Sequence, residues 1–224
     1  LRNNKAEEQV LYTTTNPSVA YLETIKENQD TFFYLSLWSY IPLNCDIKPY
    51  KIYTTVNIIK GSNAEKYYGY INKAYNQNIS NIYNAQIVGG ALELAPSLEG
   101  KNPNYVLSSE IASKIFESFD AILSISQKSY GRELNVTFNK KSADKYQIKT
   151  IYHCRSLSQY EIAYYEKKQD TLPPMYRVDK IGLLEGGTIK WYKYEFDINS
   201  ISKYGDPNAL FPDKQWFNNM IGIE

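Results

Sequence analysis

Histidine is almost missing from this chain of 224 residues: His153 is the only one. A single imidazole rules out a His-rich zinc centre, a multi-histidine metal cage and most shuttling acid–base pairs, so neither a metal nor a cofactor is expected. His153 adjoins Cys154, but neighbours on a strand point to opposite faces, which keeps the two from acting together as base and thiol nucleophile. Cysteine is scarce as well, at two residues, too few for a disulfide scaffold. Cys45 and Cys154 form a candidate disulfide. The competing reading is two buried free thiols, because spacing alone does not set pairing geometry.

Charge of one sign is also lacking. Lys plus Arg number 25 against 24 Asp plus Glu, a formal net charge of +1, which leaves no global field to draw nucleic acid or an anionic membrane surface. Nucleic acid is therefore not expected as a partner. The richest apolar stretch, Phe32 to Ile41, is broken by Ser36 and Ser39 and is too short to cross a bilayer, so no transmembrane segment is expected in this chain. The phosphate-loop, dinucleotide-binding and nucleophile-elbow patterns are absent, and no catalytic residue is assigned. The 11 Gly and 9 Pro are scattered as turn punctuation without a linker or repeat, as in a single domain.

What the chain has in excess is tyrosine, 22 residues within an aromatic fraction of 15%. Tyrosine buries its ring while its hydroxyl stays wet or hydrogen-bonded, which suits interfaces as well as cores. The spacing of apolar residues organises the rest. Phe32 to Tyr40 alternates with aromatic or aliphatic side chains on both faces and predicts a central strand. Tyr50 to Ile59 predicts another. Ser62 and Glu65 have the capping-box spacing and open a helix near residues 63–86, with Gly89-Gly90 placed to end it. A second helix is predicted from Ser108 or Ser109 to Gly131, presenting Ile111, Ile115, Phe116, Phe119, Ile122 and Leu123.

From Leu134 the period is two: Leu134 to Phe138, Tyr146 to Cys154, Leu157 to Glu166, Tyr176 to Leu184 and Thr188 to Ile198, the last two joined by the hairpin signal Glu185-Gly186-Gly187. The fold class that follows is α+β, two amphipathic helices packed on a mainly antiparallel, meander-type β-sheet in a single domain. Residues 1–30 form an arm in which Tyr12 to Thr15 favours a strand stopped by Asn16-Pro17. Residues 31–203 form the core, and residues 204–224 a tail that wraps onto it. Asn78 and Asn135 head glycosylation sequons.

The strongest non-core feature is a series of aromatics on the later strands and tail: Tyr160, Tyr164, Trp191, Tyr192, Tyr194 and Trp216. In the last strand Tyr192 and Tyr194 share one face and Trp191 takes the other. These residues are candidates for a binding surface, set against their ordinary use as cross-strand pairs that stabilise sheets. The function expected is a non-enzymatic binding or assembly protein that contacts other protein chains or itself through a tyrosine-rich surface. Because the sequence starts at Leu1 and not Met, a processed N-terminus is expected, with an extracytoplasmic location as a secreted or lipid-anchored component. A hydrolase of a neutral polymer such as a glycan is the rival from another class, using two of Glu161, Glu166, Asp179 and Glu185 as paired carboxylates. A phage or viral structural subunit is the third reading.

Overall fold

The computed structural model describes residues 9–14, 16–24, 32–41, 47–52, 59–62, 64–65, 84, 86–91, 105–157 and 176–193. The architecture is α+β, with helices and two mainly antiparallel four-stranded sheets. The strands that were expected to form one meander thus divide between two sheets. Contacts gather the chain into two units: Leu1–Thr14, Asn44–Lys145 and Gln215–Glu224 in one, Thr15–Leu43 and Tyr146–Lys214 in the other.

The first unit is built on strands β1 (Val10–Thr14), β3 (Pro49–Lys51), β4 (Ala121–Ile125) and β5 (Leu134–Asn139), in the order β1-β5-β4-β3. β4 pairs antiparallel with β5 and parallel with β3. All five residues of β4 are buried, which explains a run without polar alternation: a strand covered on both faces has no side for water. The predicted helix from Ser108 to Gly131 is therefore corrected. The helix spans Val106–Phe116, and the residues Ile122 and Leu123, which fit its stripe by spacing, belong instead to β4. Ala-Ile-Leu-Ser-Ile satisfies either period, and the central place in a sheet decides it. Ala112 and Ile115 of the helix pack with Ile52 and Ile122, flanked by Tyr50, Ile111, Phe116 and Phe119.

The loop from β4 to β5 is fastened by serines. Ser129 Oγ donates to the Ser126 carbonyl at 2.8 Å and accepts the amides of Arg132 at 3.2 Å and Glu133 at 3.0 Å. These bonds satisfy backbone groups that would otherwise be buried without partners. Asn135 lies within β5 and is buried, so its sequon is closed to modification in the folded chain; Asn78 is outside the described residues.

Helix punctuation follows local chemistry with one exception. Ser62 Oγ accepts the Glu65 amide at 3.1 Å, as the capping spacing predicted, whereas the Glu65 carboxylate reaches one residue further back than expected and accepts the Gly61 amide at 2.6 Å. Most of 63–86 lies outside the described residues. Residues 86–91 are helical, so Gly89-Gly90 does not end the helix; a helix interior tolerates glycine at about 1 kcal/mol each.

The second unit holds strands β2 (Phe32–Tyr40), β6 (Tyr146–Ser156), β7 (Tyr176–Glu185) and β8 (Thr188–Lys193), all antiparallel in that order. β2 has the predicted bounds but takes an edge of the described sheet, not its centre. On the face away from Phe33 and Leu35, its aromatics Phe32 and Tyr34 are exposed. β7 and β8 meet at a two-residue turn in which Gly186 and Gly187 both have positive φ, 57° and 81°, the backbone that a tight hairpin demands and that glycine supplies without strain. Before the sheet runs the helix Pro17–Thr24, with Asn16 Oδ1 accepting the Ser18 amide at 2.9 Å and Pro17 at the first helical position, where its missing N–H costs nothing.

One face of this sheet is covered. Tyr21 of the helix lies 5.1 Å from Phe33 and 6.1 Å from Tyr176, ring to ring, and Phe33 meets Tyr176 edge-on at 5.6 Å. Burial here pushes the Tyr176 hydroxyl well above its ordinary pKa.

Candidate binding face

Strand alternation places Phe32 and Tyr34 opposite Phe33 and Leu35, on the other face of the β2–β6–β7–β8 sheet. There they meet His153, which stands across from Tyr34 on β6. Phe32 stacks on the imidazole at 5.3 Å, and Tyr34 meets it edge-on at 5.4 Å. Tyr34 also reaches Trp191 of β8, with ring centroids 5.8 Å apart, although two strands lie between them. The reach is possible because Gly182 of β7, directly opposite Trp191, has no side chain. A Cβ built there would sit 3.0 and 3.2 Å from the Trp191 ring and 2.8 Å from Ile189 Cγ2. The indole thus lies over the bare backbone of β7.

Four aromatic rings therefore form one continuous patch from β2 to β8. Phe32 is 63% exposed, Tyr34 65% and Trp191 42%. His153 holds the centre. Its Nδ1 is buried without a hydrogen-bond partner and lies 3.8 Å from Asp179 Oδ2, beyond hydrogen-bond reach.

Asp179 owes its position to a bulge. The β6–β7 register steps from Cys154 opposite Val178 to His153 opposite Lys180, leaving Asp179 as the extra residue. Bulges re-aim side chains in this way. The carboxylate lies 3.4 Å from Arg177 Nε. Around it the register sets cation against cation: Arg155 is opposite Arg177, and Lys180 opposite Lys193. No family model, curated protein or solved structure matches the chain. The face has to be judged on its own chemistry.

Of the aromatics expected at a binding surface, Trp191 belongs to this patch. Tyr192 is exposed on the opposite face, where its hydroxyl bonds Glu185 Oε1 at 3.2 Å. That bond to a carboxylate raises the phenol pKa. Tyr160, Tyr164, Tyr194 and Trp216 lie outside the described residues. Phe32, Tyr34 and His153 were not among the site residues expected, because β2 was taken for a central strand. Gly182 carried a usable signal, since a glycine inside a strand pattern marks a bulge or a close approach.

Cys154 is a buried free thiol on the covered face, its Sγ 3.7 Å from the Tyr152 carbonyl. Cys45 lies outside the described residues. Burial pushes the Cys154 thiol up to about 12, which leaves it protonated and unreactive at neutral pH. Among the carboxylates, Glu161 and Glu166 are outside the described residues. Asp179 sits at the bulge, and Glu185 at the hairpin end of β7 is bound to Lys190 at 2.6 Å. About 20 Å of strand separates these two, too far for the roughly 5–10 Å of a glycosidase pair. Among the described residues no group of acidic, His and Cys side chains could hold a metal, and no helix is long and apolar enough to cross a membrane.

Proposed function

We propose that the protein is a non-enzymatic binding or assembly protein that holds another protein chain against the aromatic face of β2–β6–β7–β8. The observation that supports this is the continuous patch of Phe32, Tyr34 and Trp191 joined through His153, with each of the three rings more than two-fifths exposed. Exposed contiguous aromatic surface of this kind marks interaction sites, and Tyr, Trp and Arg dominate the residues that carry binding energy.

The scale of the patch limits what it does alone. Full burial of the three rings would remove roughly 300 Å² from water, a gross gain of about 8 kcal/mol at ~25 cal/mol per Å². Association costs about 4–15 kcal/mol in lost freedom. The rings by themselves therefore give weak binding, and polar groups around them must contribute.

The test is selection of a random peptide library on the immobilised protein, counter-selected on the double variant Tyr34→Ser/Trp191→Ser. Peptides that bind the wild type and lose the variant are expected. A selection yielding no ring-dependent peptide, with sedimentation showing no ring-dependent self-association, would remove this reading.

A further inference from the structure

We infer that the chain this protein holds is a second copy of itself, joined by antiparallel pairing of β2 with β2 about a twofold axis at Ser36. The inference rests on the binding reading above and names the partner. Among the described residues β2 is paired on one side only, by β6. From Phe32 to Ser39 the main-chain donors and acceptors on its other side meet no strand among those residues, and such a row is a template for another chain. That main chain supplies the polar contribution that the rings alone lack.

Exposed edges are ordinarily blunted by charge, proline or shortness. β8, at the opposite edge, carries Lys190 and Lys193 within six residues. β2 runs for nine residues, Phe-Phe-Tyr-Leu-Ser-Leu-Trp-Ser-Tyr, without charge, proline or glycine. The one irregularity beside it belongs to β6, where Lys149 is the extra residue opposite Leu37 and Trp38, so β2 keeps its alternation. Phe32, Tyr34, Ser36, Trp38 and Tyr40 therefore share one face, along which the Trp38 indole donates to Ser36 Oγ at 2.8 Å.

That row reads alike in both directions. In an antiparallel pair centred on Ser36, Phe32 meets the partner's Tyr40, Tyr34 meets the partner's Trp38, and the small Ser36 meets the partner's Ser36 at the axis. On the other face Leu35 meets the partner's Leu37. Aromatic pairs directly across strands stabilise a sheet. Moving the centre to Leu35 or Leu37 sets Tyr34 or Trp38 against Ser36 instead, so the row itself selects the register. An unrelated peptide would lack this match. A twofold pair also occupies both open edges at once and so closes without running on into a fibre. One strand edge with its rings falls in the small-interface class, below about 1,200 Å², and the dimer is expected to be weak, with a Kd of about 10–100 μM.

The test is sedimentation equilibrium of the full chain from about 5 to 500 μM, alongside Ser36→Glu and Ser36→Lys. Ser36 is exposed, so both variants should fold and melt close to the wild type. Each sets like charges against one another at the axis and should weaken the dimer by about tenfold or more. Mixing the two variants sets Glu against Lys and should restore pairing, which general damage to the strand could not do. A chain that stays monomeric at ~500 μM overturns the inference, as does a dimer indifferent to both substitutions. Weakening in both variants without recovery in the mixture also overturns it, because Ser36 would then not face its own copy. If the chain is monomeric while library selection yields ring-dependent peptides, the second copy is wrong and the binding face stands; if it is monomeric and selection yields none, both fall.

Discussion

Replacing Gly182 with alanine isolates the geometry on which the aromatic face depends. The added methyl would lie 2.8 Å from Ile189 Cγ2 and 3.0 Å from the nearest Trp191 ring atom, where carbon atoms prefer about 3.5–4.0 Å. Something must retreat by up to about 1 Å. Overpacking costs about 1–3 kcal/mol in a closed core, but Ile189 and Trp191 are both 42% exposed and have room to turn outward. The penalty should fall at the lower end, near 1 kcal/mol. Alanine also removes the entropic cost of a strand glycine, about 0.5–1 kcal/mol. The net change in stability is thus within about 1 kcal/mol, a melting shift of no more than about 2–4 °C for a chain of this size.

The effect on the face should be larger. An indole pushed off β7 loses its 5.8 Å contact with Tyr34, and the patch is cut at β7. Trp191 emission is the direct readout, recorded with Trp38 and Trp216 changed to Phe so that one of the three tryptophans remains. Gly182→Ala should shift that emission and weaken peptide binding while calorimetry shows a nearly unchanged melt. Unchanged emission together with unchanged affinity would refute the placement of Trp191 over β7. A melting drop far beyond the stated range would show that the site is packed and not open, which would refute the exposure argument.

Four further outcomes test the rest of the structure. Ser129→Ala removes one donor and one shared acceptor from a buried loop and should cost about 1–3 kcal/mol, read from urea midpoints; a change below about 0.5 kcal/mol would contradict the burial. Asn16→Ala should cost about 1 kcal/mol through loss of the helix cap, by the same measurement. Cys154, held at about 12 by burial, ionises near 8.5 in the unfolded chain. The stability it contributes as a neutral thiol is complete below that value and declines as pH rises towards about 12, by up to ~1.4 kcal/mol per unit. Wild type should therefore lose stability relative to Cys154→Val as pH rises through that window, and an equal pH dependence in the two would refute it. Iodoacetamide should label Cys154 only after unfolding without reductant.

Much of the fold could be read from local pattern, and the misreadings share one cause. β2, β6, β7 and the Gly186-Gly187 hairpin follow from alternation and turn chemistry, because period two and a positive-φ glycine pair leave few alternatives. Ala121–Ile125 did not, because five apolar or small residues fit helix and strand equally well, and only the pairing of β4 with β3 and β5 decides between them. The division into two sheets is likewise a matter of long-range pairing: β5 and β6 are neighbours in sequence, yet β5 pairs with β1, whose residues precede it by more than a hundred. No local period encodes such a choice.

The candidate site was half visible for a related reason. Trp191 stood out because a tryptophan on a hairpin strand needs an explanation when one face is solvated. Phe32 and Tyr34 did not, because a strand with large side chains on both faces reads as buried, and its edge position emerges only once β6 is seen to pair it on one side. The charge argument failed to locate the cations in the same manner. A net charge of +1 excludes a long-range field, but says nothing about which charges share a face, and the facing of Arg155 with Arg177 and Lys180 with Lys193 is created by register. The bulge at Asp179 sets which face the far half of β7 presents: without the extra residue, every side chain of β7 beyond it would move to the other face, and Trp191, held opposite Gly182 by the hairpin register, would move with it, away from Tyr34. The reach of the indole to Tyr34 and the carboxylate beside His153 therefore depend on a single inserted residue, which makes deletion of Asp179 far more damaging to the face than its replacement by Asn.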